Sequence, residues 1–162
     1  MENFSINLKS LEITTAFGIS LGRHVEAGDV ICLDGDLGSG KTTLAQAIAK
    51  GLEIPPEYYV TSPSFNIFHE YPGRIPLYHM DFYRLHSSED VVGIGLDEYF
   101  YQNGLCVIEW SEIAFDILPE DRLSLRLKIV SENARQISCS FRQQSWQNKI
   151  ENIVHKISCD LL

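Results

Sequence analysis

Gly35-Asp36-Leu37-Gly38-Ser39-Gly40-Lys41-Thr42 matches the phosphate-loop pattern G-x-x-x-x-G-K-[ST] at every fixed position. Glycines at this spacing let successive backbone N–H groups turn inward on phosphate oxygens, and a following helix adds its positive end behind them. Lys41 is then placed to reach the β- and γ-phosphates of a nucleoside triphosphate, and the Thr42 hydroxyl to ligate Mg2+. Asp36, Leu37, Gly38, Ser39, Gly40 and Thr43 complete the cradle. The spacing predicts triphosphate binding.

Hydrolysis needs more than a cradle: a carboxylate that orients the metal, and a group that positions water. Two acids follow strand-like runs, the first wholly apolar and the second a weaker version of the same pattern. Glu109 closes Leu105-Cys106-Val107-Ile108, and Asp81 closes Tyr78-His79-Met80. Strand ends of this kind open onto the ligand crevice of an α/β sheet. Spacing leaves open which acid meets the metal directly. Glu109 is taken as the metal partner beside Thr42, and Asp81 as the group that orients the attacking water. Lys41, Asp81 and Glu109 are thus the candidate catalytic residues.

Thr61-Ser62-Pro63-Ser64-Phe65 offers hydroxyls on a segment that Pro63 stiffens. Taken by itself it is an ordinary Ser/Pro turn. Arg84 could neutralise phosphate charge, although a surface ion pair is the commoner fate of a lone arginine. His79 reads as a packed core residue and Trp110 as a packing residue. His24, His69, His86 and His155 show no metal-ligand spacing.

The elements that must hold these residues follow from pattern. A strand over 4–8 precedes a helix capped by Ser10, in which Ile13, Phe17, Leu21 and Val25 recur every four positions. Val30-Ile31-Cys32-Leu33 enters the loop and Thr43-Leu44-Ala45-Gln46-Ala47-Ile48-Ala49 leaves it as a helix, ending near Gly51 before Pro55-Pro56. Residues 65–71 and 75–81 flank Pro72-Gly73-Arg74 as a hairpin. Short helices are expected after Ser87, over 96–100 and over 111–118. Alternating Leu123, Leu125, Leu127 and Ile129 make a half-exposed strand that pairs with 134–141. Trp146, Ile150, Ile153, Val154 and Ile157 mark a last helix over about 143–158. The fold class expected is α/β: one P-loop NTPase-like domain over 1–162, with a mixed parallel and antiparallel sheet and flanking helices.

Composition narrows the function classes. A net charge of −9 argues against broad, charge-driven binding to nucleic acid or anionic membrane. The four cysteines have no C-x-x-C spacing, so no zinc or redox site is expected. The amino terminus lacks a basic region followed by an apolar run, and no segment approaches membrane-spanning length. A cytoplasmic protein without a membrane partner is expected. No [NT]-K-x-D guanine-reading motif occurs, which favours ATP.

Together, four ordered blocks resemble the TsaE family of bacterial ATPases required for threonylcarbamoyladenosine in tRNA. The blocks are residues 35–44, Thr61-Ser62-Pro63-Ser64-Phe65, His79-Met80-Asp81-Phe82-Tyr83-Arg84-Leu85 and Ile108-Glu109-Trp110-Ser111-Glu112. They span about 28–119. The resemblance implies a protein that binds ATP with Mg2+, hydrolyses it slowly alone, and works with the TsaB–TsaD pair, meeting tRNA only through that complex. It implies that Lys41 and Thr42 serve phosphate and metal, and that Asp81 and Glu109 are the functional acids. Trp110 would lie beside nucleotide or partner, 62–65 would be a switch-like segment that includes Ser64, and the turn near Ser10 would approach adenine. Ser64 stands where the family usually has Thr, and Ser39 where it commonly has Ala. Two other readings remain at this point: a small-molecule P-loop kinase, for which 57–84 supplies only Arg74 and Arg84, and a nucleotide-gated binding module that needs no hydrolysis.

Overall fold

The computed structural model describes residues 2–160. In chain order its strands are β1 (Glu2–Leu8), β2 (Val30–Gly35), β3 (Phe68–Tyr71), β4 (Leu77–Asp81), β5 (Leu105–Glu109), β6 (Leu123–Ile129) and β7 (Arg135–Phe141). They form one sheet in the order β1-β7-β6-β2-β5-β4-β3. β2 runs parallel to β5 on one side and to β6 on the other, and β4 extends the parallel block beyond β5. β3, β7 and β1 add antiparallel pairs at the two edges. The sheet is mixed, as the strand patterns imply. Every residue of β2, β4 and β5 is buried, which is why these strands read as continuous apolar runs rather than as alternation.

The two sheet faces carry separate cores. Ile31, Leu33, Leu77 and Val107 point to the face covered by α1 (Leu11–His24), α2 (Lys41–Gly51) and α4 (Gln144–Asp160), where they meet Phe17, Leu21, Leu44, Ile48 and Ile150. Val30, Cys32, Met80, Cys106 and Ile108 point to the other face, covered by α3 (Ser88–Gly93) and two 3-10 turns, Leu96–Tyr101 and Ser111–Ala114. Period-two alternation therefore decides which side of the sheet each residue at a strand end addresses.

α1 lies against α2 through small residues. A Cβ on Gly18 would sit 2.4 Å from the Ala47 Cβ, and one on Gly22 2.1 Å from the Ile48 carbonyl oxygen. The contacts run in the same direction along both helices, which brings the start of α1 beside the start of α2 and the phosphate loop.

Some boundaries differ from the sequence pattern. Val25 is the C-cap of α1 rather than its last apolar turn. β3 begins at Phe68, because the Ile67 amide closes on the Pro63 carbonyl at 2.6 Å and Ile67 adopts φ 66°. The expected helix over 111–118 shrinks to the 3-10 turn Ser111–Ala114, and α4 starts one residue later and runs to Asp160. Among the described residues no helix is long and apolar enough to cross a membrane.

Candidate functional site

The parallel register fixes the acids. β4 and β5 pair Asp81 with Glu109, and both are last in their strands. Alternation from Leu77 and Val107 turns Asp81, Glu109 and also His79 toward the α2 face. The phosphate loop leaves β2, the neighbour of β5, so α2 begins directly over them.

The loop needs glycine at particular points. Gly35 has φ 139°, and a Cβ there would sit 2.4 Å from the Leu127 carbonyl oxygen, so neither the conformation nor the space admits a side chain. Gly40, with φ 103°, turns the chain into α2 as its N-cap. The Ser39 carbonyl accepts from Arg135 Nε at 2.7 Å, which ties the loop to the β6–β7 hairpin.

Lys41 is buried and folded back on the loop. Its Nζ donates to the carbonyls of Gly35 at 2.8 Å and Asp36 at 3.0 Å, and lies 4.0 Å from the centroid of the Trp110 ring. Burial pulls its pKa down, while the charges of Glu109, Asp81, Asp34 and Asp36 oppose that shift. Thr42 Oγ1 donates to Glu109, 3.2 Å from Oε1 and 3.0 Å from Oε2. His79 Nε2 lies 2.8 Å from the same Oε1. Asp81 accepts from Ser62 Oγ at 2.6 Å through Oδ2 and from the Tyr83 amide at 2.9 Å through Oδ1. The hydroxyl segment is therefore fastened to the end of β4. Just before it, Gln46 Nε2 donates to the Val60 carbonyl at 2.8 Å.

Trp110 follows Glu109 in the left-handed region, φ 57° and ψ 39°. For a residue other than glycine this costs about 1–3 kcal/mol and persists only where the surroundings dictate it. Here the Trp110 amide donates to the Leu33 carbonyl at 3.0 Å, and its ring packs on Tyr83 with centroids 5.0 Å apart. Asp34 holds the next residues, accepting from Ser111 Oγ at 2.7 Å and the Glu112 amide at 3.2 Å; burial nevertheless pushes its pKa up.

These groups surround one open cleft of about 480 Å3. Of the residues singled out by sequence, Leu37, Gly38, Gly40, Lys41, Thr42, Thr43, Ser64, Asp81, Glu109 and Trp110 line it. Asp36 is exposed and contributes its carbonyl to Lys41, and Ser39 lies buried below the loop with its hydroxyl unpartnered among the described residues. Ser10 is engaged elsewhere: its Oγ caps α1 by accepting from the Ile13 amide at 3.3 Å. A smaller cavity of about 180 Å3 adjoins the cleft through Gly40 and Thr43, lined also by Leu11, Thr14, Asn133 and Arg135. Sequence reasoning took His79 for a packed core residue, whereas its Nε2 meets Glu109, and it passed over Asp34 and Arg135; the i, i+2 spacing of His79 and Asp81 on one strand was the available signal for the first.

Chemically, the cleft presents the Lys41 ammonium beside the Thr42 hydroxyl and two carboxylates. Among the described residues no three His, Cys, Asp or Glu side chains form a metal cage. One hydroxyl and one carboxylate in contact beside a phosphate cradle do fit Mg2+, which takes few protein ligands and keeps phosphate oxygens and waters.

The sheet, the loop and the helix it starts define a P-loop NTPase-like fold. The crystal structure of YdiB from Bacillus subtilis superposes with a TM-score of 0.76 and 33% identity, covering 98% of this chain and 96% of that one. The family model described as "Threonylcarbamoyl adenosine biosynthesis protein TsaE" matches residues 8–137. Proteins named tRNA threonylcarbamoyladenosine biosynthesis protein TsaE are similar too. That of Treponema pallidum is 42% identical over 130 residues, 80% of this chain and 95% of its own length. That of Bacillus subtilis is 43% identical over 129 residues, 78% of each chain. The chain belongs to the TsaE family, whose role is in the biosynthesis of threonylcarbamoyladenosine in tRNA.

Proposed function

We propose that this chain is a Mg2+-dependent ATPase of the cytoplasm that assists the TsaB–TsaD pair in modifying tRNA. The observation that carries the reading is the convergence of Lys41, Thr42, Asp81 and Glu109 on one cleft. Lys41 exchanges the Gly35 and Asp36 carbonyls for phosphate oxygens when nucleotide enters, and the loop amides with the start of α2 hold the rest of the chain of phosphates. Thr42 and Glu109 would hold Mg2+, whose charge offsets that of the β- and γ-phosphates. Asp81 orients water at the γ-phosphate, and Ser62 and Ser64 form the loop that senses it. The adjoining cavity at Leu11, Thr14 and Asn133 takes the base, next to Ser10 rather than on it.

Arg74 counts against a small-molecule kinase. Its Nη2 donates to the Gly22 and Val25 carbonyls at 2.6 Å each, leaving Arg84 as the cation of 57–84 on the cleft wall. Hydrolysis therefore serves as a timing step for the transferase, and the acidic chain meets tRNA through its partners.

Phosphate release from ATP, measured with and without TsaB–TsaD and tRNA, tests this. Slow Mg2+-dependent release that the complex accelerates is expected. Phosphate delivered to an acceptor other than water would refute an ATPase. Full support of modification by ADP or a non-hydrolysable analogue would refute the need for hydrolysis.

A further inference from the structure

We infer that His79 is a positioning residue: its imidazole fixes the Glu109 carboxylate in the orientation that meets Thr42 and the metal. The inference rests on the reading of Glu109 as the metal-binding acid. His79 is fully buried and Glu109 is 2% exposed, and Nε2 lies 2.8 Å from Oε1. An ionised carboxyl only accepts, so Nε2 carries the hydrogen and donates it.

The contact is directional. Oε1 is held between His79 Nε2 and Thr42 Oγ1, and Oε2 lies 3.0 Å from Thr42. Glutamate has three side-chain torsions, and a donor fixed in a strand removes the freedom that would otherwise let the carboxylate turn off the metal position. The strands supply that rigidity, because His79 pairs with Val107 and Asp81 with Glu109 in the same parallel ladder.

Packing alone does not account for an imidazole here. His79 Nδ1 is buried with no hydrogen-bond partner among the described residues, a cost that an apolar side chain would avoid. Its cross-strand neighbour His69 does not relieve it, since the His69 ring nitrogens engage Asn66 and Tyr71. The buried histidine is explained by what Nε2 does for Glu109. Partners of this kind behind a metal ligand typically change metal affinity by 10–100-fold.

The test is Mn2+ binding, read by electron paramagnetic resonance, to the full chain saturated with ADP. His79→Leu, His79→Gln and Glu109→Ala are compared with wild type, with ADP affinity in the absence of metal measured alongside. Glu109→Ala and His79→Leu should each weaken Mn2+ binding by about tenfold or more, whereas His79→Gln, whose amide nitrogen stands near the Nε2 position, should return to within about threefold of wild type. Metal-free ADP affinity should not change in the His79 variants. Should His79→Leu fail to fold, His79→Asn, whose amide stops short of Oε1, replaces it with the same expected loss. Wild-type Mn2+ affinity in His79→Leu beside a weakened Glu109→Ala overturns the role of His79 alone. Equal loss in His79→Gln and His79→Leu overturns it as well. Wild-type affinity in Glu109→Ala overturns the metal assignment itself, and this inference with it.

Discussion

Gly22→Ala should destabilise the protein, although alanine is the better helix former. Helix propensity alone favours the change by about 1 kcal/mol. Against it stands the α1–α2 contact: the new Cβ would lie 2.1 Å from the Ile48 carbonyl oxygen and 2.9 Å from the Gly51 Cα. Ordinary contact begins near 3.4 Å, so about 1.3 Å must be found between two helix backbones, with no side chain able to rotate away. Overpacking of this kind costs about 1–3 kcal/mol, and backbone against backbone places Gly22 at the upper end. The net loss is about 2 kcal/mol, equivalent to a Tm fall of about 4–8 °C in a chain of this length. Urea unfolding followed by circular dichroism should show a lower midpoint with an unchanged slope. Gly93→Ala is the control: as the last residue of α3 it meets nothing within 4 Å, so it should leave stability unchanged or raise it by up to about 1 kcal/mol. A Gly22→Ala midpoint at or above wild type would refute the close-packing argument.

Nucleotide should be visible in tryptophan fluorescence. Lys41 lies 4.0 Å from the Trp110 ring while Trp146 is 1% exposed, so drawing Lys41 onto phosphate should change Trp110 emission. Trp110→Phe should abolish the signal, and a persisting signal would contradict this origin. Burial pushes the Cys32, Cys106 and Cys139 thiols from 9.0 up to about 12. Native protein at pH 8 should leave these three unlabelled by a thiol reagent, and denaturant should expose them, as peptide mass spectrometry will read. Because the folded pKa is raised, the unfolded chain loses these protons first; their contribution is complete below pH 9 and is lost as pH rises toward 12. A midpoint of unfolding that rose over that range would have the wrong sign.

What could be read in the sequence was local. The phosphate loop is legible because backbone geometry restricts Gly35 and Gly40 to glycine, and the two acids because each ends a strand-like run, wholly apolar before Glu109 and interrupted by His79 before Asp81. What could not be read depends on pairing between distant segments. His79 acquires its meaning only when β4 lies beside β5, and Arg135 only when a residue 96 positions away offers its carbonyl. The expected strand over 65–71 lost its first residues to the turn at Ile67, whose amide closes on the Pro63 carbonyl and whose φ is positive. Ser10 pointed to the right end of α1, but its hydroxyl is occupied in capping the helix, and the neighbouring cavity is lined by Leu11 and Thr14.

The central claim is that tRNA modification depends on the phosphate and metal chemistry of this cleft. The most direct measurement is the yield of threonylcarbamoyladenosine on tRNA in a reconstituted mixture containing TsaB, TsaD and this chain. With folded Lys41→Ala or Glu109→Ala in place of wild type, modified nucleoside should fall to the level seen without the chain. Undiminished yield with either variant would contradict the account.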